Sequence, residues 1–565
     1  MKKFETNILL LSVVFCWAAA YVFIETLTKL VSPFAYLTMM NGVAAATLII
    51  VFLPKVLRTT RRELLHGMIL GLIMTGVLLA EFAGIDLTSS SAASLLASLD
   101  LVVVPLLLLF LGRKLRKNQI AGIILIICGT ILTCGLPGSG NRAAGIFFMA
   151  LDGVLMAFYN VVSNRFCRED DPILLAVMQL VVMTLFPLVL WYREDPRIFL
   201  GVPPVLELVT SVLFLGFFSK AFAYVALMFG ERYADPIDVV VIFALEPVVT
   251  MLFAAFFPGE FGGTESAITV KGLICAALIV SGSMVAGLEE GDLKILAGYF
   301  RRKRPAESGT AGETGTISEP PGEPHPAPAW GWTAWRRFRT VFACFLVFGI
   351  CFKLTVLIEN YTEIRPVNSL PVLAGLIFGL PAAAACALGN LAADMFATLM
   401  PSSLLGMLVN FLQAFLPYRL WKLYGEGRPN VHTTRNLFTY VFFTFASAVT
   451  AAWILGFGIS FFFGGWITNL AEYVFVNNMV FPLIFGLPVF IMLTCSDVNM
   501  IPVPAIPWIL PISESVRKGL FSLYLLIVGG TGAAVWLKIT PETAGNAPFF
   551  AVSVPAALLL AAVLL

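Results

Sequence analysis

The sequence predicts an all-α polytopic membrane protein, in which a ten-helix bundle of two inverted five-helix repeats precedes a second membrane bundle of about seven or eight helices. Only 12% of the 565 residues are charged and 59% are hydrophobic, whereas a soluble protein has about 25% charged residues. Apolar runs of roughly 18 to 25 residues recur along the chain, and each can cross about 30 Å of hydrocarbon as a helix. In addition, two of these runs contain an acidic residue at matching places.

Ten of the predicted spans lie in the first 287 residues. Their bounds are approximately 8–28, 33–53, 64–85, 90–112, 119–137, 143–163, 172–192, 205–229, 237–257 and 269–287. The loops on the side of the N-terminus contain thirteen Lys and Arg residues, and those on the opposite side contain five. Because positive charge concentrates in cytoplasmic loops, we expect a multi-pass protein of the plasma (inner) membrane whose N-terminus is cytoplasmic.

The ten spans form a first domain, residues 1–287, that divides into two similar repeats, residues 8–137 and 143–287. Each repeat has an odd number of spans, so the two must cross the membrane in opposite senses. Inverted repeats place a shared site near the bilayer midplane, where broken helices often line it. Pro105 in the fourth span and Pro247 in the ninth are the predicted helix breakers.

Acidic residues mark where this site should lie. Asp100 is central in the run Leu95–Gly112, and Glu246 is central in the run Val240–Gly259. A carboxylate near the middle of a bilayer costs several kcal/mol unless it faces the bundle interior or a watery cavity. The ionisable residues predicted within the spans are Glu25, Glu81, Asp100, Asp152, Glu246 and Lys220. We predict that they bind a substrate or a coupling ion; the structural alternative is that the acids pair with Lys220 or cap helix ends.

Aromatic residues of the ten spans are further candidates for the site. Trp17 and Tyr224 are candidates for substrate contact, because aromatic rings attract cations, and Tyr21 and Tyr159 occupy similar places. The alternative for each is packing between helices. Three further acids are expected at loops or helix ends, namely Asp86, Glu231 and Asp238.

Residues 8–287 resemble the EamA-like transporters of the drug/metabolite transporter superfamily. The matching features are Trp17 in the first span, Pro33 opening the second, GIDLTSSSAASLLASLD before a basic loop, and AFAYVALMFGERYADPIDVVVIFALEP. The most specific feature is Leu-Glu-Pro at 245–247 followed by Gly-Glu at 259–260. The resemblance implies a ten-helix inverted-repeat carrier of small metabolites, amino acids or drugs.

Two departures from that family pattern change the expected substrate. Glu25 stands where the family often has a lysine, and Met40 followed by Asn41 stands where an arginine is common. Both departures remove positive charge from the expected cavity. We therefore expect a cationic or zwitterionic solute, moved by alternating access and exchanged for protons.

The competing interpretation is a membrane-integral sensor or substrate-binding scaffold without transport of its own. Enzymatic activity is not predicted, because the three histidines lie in loops, at a span start or in the linker, and no phosphate-binding loop is present. The nine cysteines include no CxxC pair, so neither a metal site nor a cofactor is predicted. The expected partners are a small-molecule substrate and the lipid bilayer, with a homodimer as a further option and without nucleic acid.

Residues 288–340 differ from the rest of the chain. The stretch GTAGETGTISEPPGEPHPAPAW is rich in Gly, Pro, Glu, Ser and Thr and cannot bury a core, so a disordered cytoplasmic linker is predicted.

A second transmembrane domain follows, residues 341–565, with spans near 341–358, 401–422, 436–463, 470–494, 519–537 and 546–565. The stretch 367–398 is too long for one span; we expect two short helices broken at Pro381, which gives eight segments.

The second domain has polar candidates of its own. Amides and acids that fall within its spans are Asp394, Asn410, Gln413, Glu472, Asn477 and Asn478. Such groups usually hydrogen-bond between helices, but together they can line a ligand pocket. Residues 341–494 weakly resemble the substrate-binding S-components of energy-coupling-factor transporters, through LPVLAGLIFGLPAAAACALGNLAADMF. That resemblance implies an ATPase partner chain; a sensory domain and a second carrier-like bundle are the alternatives.

Overall fold

The computed structural model describes most of the chain. The described residues are 2–85, 87, 96, 98–134, 143–202, 205–256, 270–287, 332–352, 356–358, 362–363, 365–396, 399–463, 470–495, 508–536 and 546–565. Within them the regular secondary structure is helical apart from one short hairpin. Eight of the described helices are long and apolar enough to cross a membrane, and five apolar helices are shorter. The predicted polytopic helical architecture is confirmed.

The first 287 residues contain thirteen helices and one π-helical segment among the residues described. They are α1 (Lys3–Leu30), α2 (Pro33–Val51), the single turn α3 (Leu53–Val56), α4 (Arg61–Ile85), α5 (Asp100–Phe110), α6 (Lys117–Cys134), α7 (Ala143–Glu169), α8 (Pro172–Glu194), α9 (Leu206–Phe214), the π segment (Leu215–Phe222), α10 (Ala223–Tyr233), α11 (Pro236–Phe243), α12 (Glu246–Phe256) and α13 (Val270–Gly287). A 3-10 turn, Ile198–Gly201, lies between α8 and α9.

Asp-Pro pairs set two of the helix starts. Asp171 precedes Pro172 and accepts a hydrogen bond from the backbone N–H of Ile173 at 2.9 Å. Asp235 precedes Pro236 in the same way at the start of α11. A proline in the first turn lacks an N–H that the helix would leave unpaired, and the aspartate satisfies another. These short corners make consecutive spans antiparallel neighbours.

The fourth and ninth spans both break just before their acidic residue. In the ninth, α11 ends at Phe243 and α12 begins at Glu246. Pro247 is the second residue of α12, so the predicted break at this proline is confirmed. In the fourth span, α5 begins at Asp100, and Pro105 lies inside it. The predicted break at Pro105 is therefore wrong, because the interruption comes before Asp100.

The second part begins earlier than predicted. Its elements are α14 (Trp332–Phe352), β1 (Val356–Ile358), β2 (Thr362–Glu363), a 3-10 turn (Pro366–Asn368), α15 (Ser369–Phe378), α16 (Leu380–Asp394), α17 (Ser403–Tyr424), α18 (Thr434–Ala451), a π segment (Ala452–Phe457), α19 (Gly458–Phe463), α20 (Leu470–Phe481), a π segment (Pro482–Gly486), α21 (Leu487–Cys495), α22 (Glu514–Trp536) and α23 (Asn546–Leu564). Residues 332–340, predicted as linker, are helical; residues 288–331 lie outside the described part. The hairpin, antiparallel with Val356 opposite Glu363, was not predicted.

The stretch 367–398 forms two helices, as predicted from its length. The break falls at Gly379, which has a φ of 70°. Glycine adopts this conformation without the steric cost that a side chain imposes. Pro381, the predicted breaker, is instead the second residue of α16, where its missing N–H is tolerated.

Aromatic side chains join the two parts of the molecule. Phe218 of the first π segment lies 4.3 Å, between ring centroids, from Phe485. Phe214 packs edge-to-face on Phe352 at 6.1 Å. Buried residues of both parts belong to one continuous hydrophobic cluster. The second bundle is therefore packed directly against α1 and the eighth span of the first.

Candidate functional site

The two matched acids, Asp100 and Glu246, lie near each other where the fourth and ninth spans break. Each is the first residue of its half-helix, and each is half-buried. The charges of the two carboxyls act on one another. A helix N-terminus has a partial positive charge that favours a carboxylate. The two breaks thus bring one acid from each repeat to a common place inside the bundle.

The only base among the predicted in-span residues, Lys220, sits on the π segment of the eighth span. It is 8% exposed, and its Nζ lies 5.5 Å from the centroid of the Tyr224 ring. The charge of Glu81, on α4, acts on Lys220 and on Tyr36 and Tyr224. π-Helical insertions occur often at functional sites, because they displace side chains from the regular helical positions. Here the insertion holds an ammonium group at membrane depth.

Asp152 connects these two groups of residues. It lies on α7 and is 5% exposed, and both Glu81 and Asp100 act electrostatically on it. Five elements therefore direct ionisable groups to one region, which we call the acidic cavity after the solute site that the sequence predicts there. Its members are Glu81, Asp100, Asp152, Lys220 and Glu246. In this set carboxyl groups outnumber the ammonium group by four to one, so the region favours cations and protons.

Aromatic rings line the acidic cavity beside Lys220. The Trp17 indole N–H donates a hydrogen bond to the backbone carbonyl of Ser219, within the π segment, at 3.2 Å. The Trp17 ring centroid lies 6.3 Å from that of Tyr224 and 5.2 Å from that of Phe243. These contacts connect α1 to the eighth and ninth spans. They also place π-electron surface next to the charged groups, as a cation site requires.

The remaining predictions for the first ten spans have mixed outcomes. Glu25 and Tyr21 lie on α1, but their side chains are outside the described part of the structure, as is Asp86. The Tyr159 hydroxyl donates to Gln179 at 2.8 Å and is fully buried, so it serves helix packing. Asp238 lies in the first turn of α11, as expected for a helix-end residue, near Lys3 and Arg116.

Glu231 lies in the last turn of α10, as expected for a helix-end residue, but it is fully buried rather than exposed at a loop. Its backbone carbonyl accepts a hydrogen bond from the Asn164 side chain of α7 at 2.6 Å. The same amide also bonds the carbonyl of Ala234 at 2.9 Å. The sequence contained no signal for this contact, because Asn164 and Glu231 are 67 residues apart in the chain, on different helices of the second repeat.

The second bundle contains a small cavity of about 30 Å³ that is partly lined by polar side chains. Four predicted candidates line it together with Arg365, namely Asn410, Gln413, Asn477 and Asn478. Glu472 is half-buried on α20 and is not part of this lining. Among the described residues, Asn410 Oδ1 and Gln413 Oε1 are buried acceptors without a hydrogen-bond partner. The cavity therefore offers unsatisfied acceptors to a bound polar molecule.

Arg365 lines one side of this cavity and was not predicted from the sequence. Its guanidinium donates to Asn390 Oδ1 at 3.2 Å and lies 3.5 Å from Asp394 Oδ1. Its backbone N–H donates to Asn477 at 3.4 Å. Asp394, a predicted candidate, thus acts beside the cavity through Arg365. The proximity of Arg365 to α16 and α20 depends on the unpredicted hairpin that precedes it.

Comparison with known proteins agrees with this architecture. The EamA-like transporter family matches the chain twice, at residues 5–135 and 143–287. An uncharacterized transporter of Archaeoglobus fulgidus is 26% identical over 281 residues, which is 48% of this chain and 96% of that protein. A second one from the same organism is 24% identical, over 45% of this chain and 88% of its own length. The uncharacterized transporter YyaM of Bacillus subtilis is 23% identical, over 51% of this chain and 94% of its own length.

The helical spans and these relatives define a polytopic membrane transporter. Its first part, residues 5–287, belongs to the EamA-like transporter family, and the two family matches correspond to the two predicted repeats. The relatives match about half of this chain. The resemblance of residues 341–494 to S-components therefore stays a prediction.

Proposed function

We propose that the first ten spans move a small cationic or zwitterionic metabolite, amino acid or drug-like solute by alternating access, in exchange for protons. The observation that supports this proposal most is the convergence of Asp100, Glu246, Asp152, Glu81 and Lys220 on one region. A positively charged solute offsets the excess of carboxyl groups there. When it leaves, protons can replace it.

Alternating access fits the arrangement of the repeats. Inverted repeats can exchange conformations, so that a site between them opens first to one side of the membrane and then to the other. Asp100 and Glu246 begin corresponding half-helices of the two repeats. A rocking motion of one repeat against the other would change the distance between these carboxyls, and with it the affinity for a cation. The solute and the proton would then share one binding site, so that the movement of one is coupled to the movement of the other.

The proposed orientation has a direct test. We expect the N-terminus and the loop at Lys117 to be cytoplasmic, because the basic loops cluster on that side. A phosphatase or fluorescent-protein reporter inserted after Gly140 should report the external side, and one inserted after Lys117 should report the cytoplasm. The reverse pattern would contradict the orientation.

The substrate class is tested by comparing metabolites in three strains: a deletion strain, one that overproduces the protein, and one that overproduces Glu246→Gln at the same level. We expect one or a few cationic or zwitterionic solutes to differ between the deletion and overproducing strains, in the cell or in the medium. The Glu246→Gln strain should match the deletion strain for those solutes. Differences confined to anionic solutes would contradict the proposed substrate class.

A second candidate function, solute sensing or capture, is favoured by the polar cavity of the second bundle. Asn410 and Gln413 present free acceptors there, beside the Arg365 guanidinium. In this alternative the second bundle binds a solute and acts on the first, either alone or with an ATPase chain. The melting temperatures of purified wild-type protein and Arg365→Gln are measured with and without pooled solutes. A solute that binds in the second bundle should stabilise the wild type more than Arg365→Gln, whereas one that binds at the acidic cavity should stabilise both proteins equally.

A further inference from the structure

Three potential metal ligands meet at the junction of the two bundles. They are Glu5 in the first turn of α1, His432 just before α18, and Cys495 at the end of α21. Glu5 Oε1 lies 2.5 Å from His432 Nδ1, and Glu5 Oε2 lies 3.8 Å from Cys495 Sγ. Cys495 Sγ is 4.0 Å from His432 Nδ1. We propose that this junction cluster binds a divalent transition metal ion, of which Zn²⁺ fits the ligands best.

The ligand set is selective for such a metal. A thiolate, an imidazole and a carboxylate together suit Zn²⁺, whereas Ca²⁺ and Mg²⁺ bind oxygen ligands almost entirely. In a tetrahedral zinc site the ligand atoms are separated by about 3.3 to 3.6 Å, given zinc–ligand bonds of about 2.0 to 2.3 Å. The distances from Cys495 Sγ to His432 Nδ1 and to Glu5 Oε2 need to shorten by only a few tenths of an ångström. The Glu5–His432 distance must lengthen by somewhat less than 1 Å.

His432 is the ligand that can move to make this adjustment. The Glu5 side chain is 1% exposed, whereas the His432 side chain is 34% exposed, so the imidazole can rotate away from the carboxylate as the metal enters. The exposed edge also leaves room for water at a fourth coordination position. A three-ligand site with one open position is a common arrangement for zinc.

Neighbouring hydrogen bonds hold two of the ligands in position. Glu5 Oε2 accepts a hydrogen bond from the backbone N–H of Lys2 at 2.7 Å. The backbone N–H of His432 donates to Asn430 Oδ1 at 2.9 Å, and Asn430 in turn accepts from Asn436 at 3.1 Å. Supporting contacts of this kind fix the orientation of metal ligands and raise affinity.

A comparable pair elsewhere in the chain serves as the matched control. His66 Nδ1 lies 2.5 Å from Asp170 Oδ2, which equals the separation in the junction cluster. Among the described residues, no third His, Cys, Asp or Glu ligand atom completes a possible metal site with this pair. A His–carboxylate contact by itself should therefore bind zinc weakly, and the Cys495 thiolate should make the difference.

A metal ion bound at the junction cluster would connect the two bundles. Glu5 belongs to the first bundle and His432 and Cys495 to the second. The proposal is independent of the transported solute, because the junction cluster lies at the start of α1, whereas Trp17, the α1 residue at the acidic cavity, is more than three helical turns further along. Zinc binding can thus succeed or fail whether or not the transport proposal holds.

The test uses the full chain purified in detergent and stripped of metal. Zinc binding is measured by calorimetry and by metal analysis after gel filtration, for wild type, Glu5→Gln, His432→Gln, Cys495→Ser and His66→Gln. We expect one zinc per chain in wild type and in His66→Gln, and an affinity lower by about 10- to 100-fold or more in the other three. Co²⁺ should give a thiolate-to-cobalt absorption band in wild type that Cys495→Ser lacks.

The wild-type protein alone can overturn the proposal. Zinc below a tenth of an equivalent per chain, or bound cobalt without the thiolate band, would show that the junction cluster is a hydrogen-bonded contact between bundles. Equal zinc affinity in wild type and Cys495→Ser would do the same. If a variant fails to elute as a folded monodisperse protein, the wild-type cobalt spectrum still decides the outcome.

Discussion

Replacing Lys220 with methionine should lower the yield of folded protein and abolish transport. Lys220 is almost fully buried and is the single ammonium among the five groups of the acidic cavity. Its removal leaves Glu81 and its carboxyl neighbours without their compensating positive charge. Leaving buried charges uncompensated in this way costs on the order of 3 kcal/mol. Yield and melting temperature are measured by fluorescence-detected size exclusion, and flux is measured in proteoliposomes.

Two further variants separate charge from packing. The double variant Lys220→Met, Glu81→Gln removes both charges, so we expect it to recover most of the folded yield while remaining inactive. Lys518 is the matched control, since it also lies over a tyrosine ring, 5.7 Å from the Tyr424 centroid, but is only half-buried. Lys518→Met should leave yield and flux unchanged. Normal folding and flux in Lys220→Met would show that the buried ammonium has neither role.

Asp100→Asn and Glu246→Gln should each abolish solute flux while leaving the folded yield near that of wild type. The amides keep the size of the side chains and their capacity to hydrogen-bond, but they cannot carry a negative charge or exchange a proton. Both residues begin half-helices at the acidic cavity, so loss of charge affects binding more than packing. Flux is expected to fall at least 100-fold, which corresponds to about 2.7 kcal/mol of transition-state stabilisation.

Glu207→Gln is the control for these two variants. Glu207 is also an acidic residue in the first turn of a helix of the ten-span bundle, but it is exposed. Its flux should stay within about twofold of wild type. If Asp100→Asn and Glu246→Gln transport at the same rate and with the same pH dependence as Glu207→Gln, the two matched acids are structural.

Much of the architecture was predictable because it depends on the length and order of apolar runs. Backbone groups in a bilayer must be satisfied within each segment, so a long apolar run has to be helical. The division of residues 367–398 into two helices followed from length alone, and it is confirmed. The convergence of Asp100 and Glu246 followed from their matching places in two repeats. These inferences needed no knowledge of which helices touch.

The features that were missed all depend on tertiary contact or on local backbone irregularity. The π segment that contains Lys220 has no sequence signature, since its composition resembles that of the other apolar spans. Pro105 looked like a breaker, but the helix around it is stabilised by neighbouring helices. Arg365 lies next to Asp394 because of the hairpin before it. Glu5 and His432 are 427 residues apart in the chain, so no spacing rule relates them.

The central claim, that the acidic cavity carries a solute across the membrane, is tested most directly by exchange in proteoliposomes. Vesicles with wild-type protein or the Asp100→Asn, Glu246→Gln double variant are loaded with a pool of amino acids, amines and drug-like cations, and efflux is measured by mass spectrometry with and without a pH gradient. We predict saturable movement of at least one cationic or zwitterionic solute by the wild type, accelerated by the gradient and absent in the double variant. No movement of any pooled solute by the wild type, or equal movement by both proteins, would contradict it.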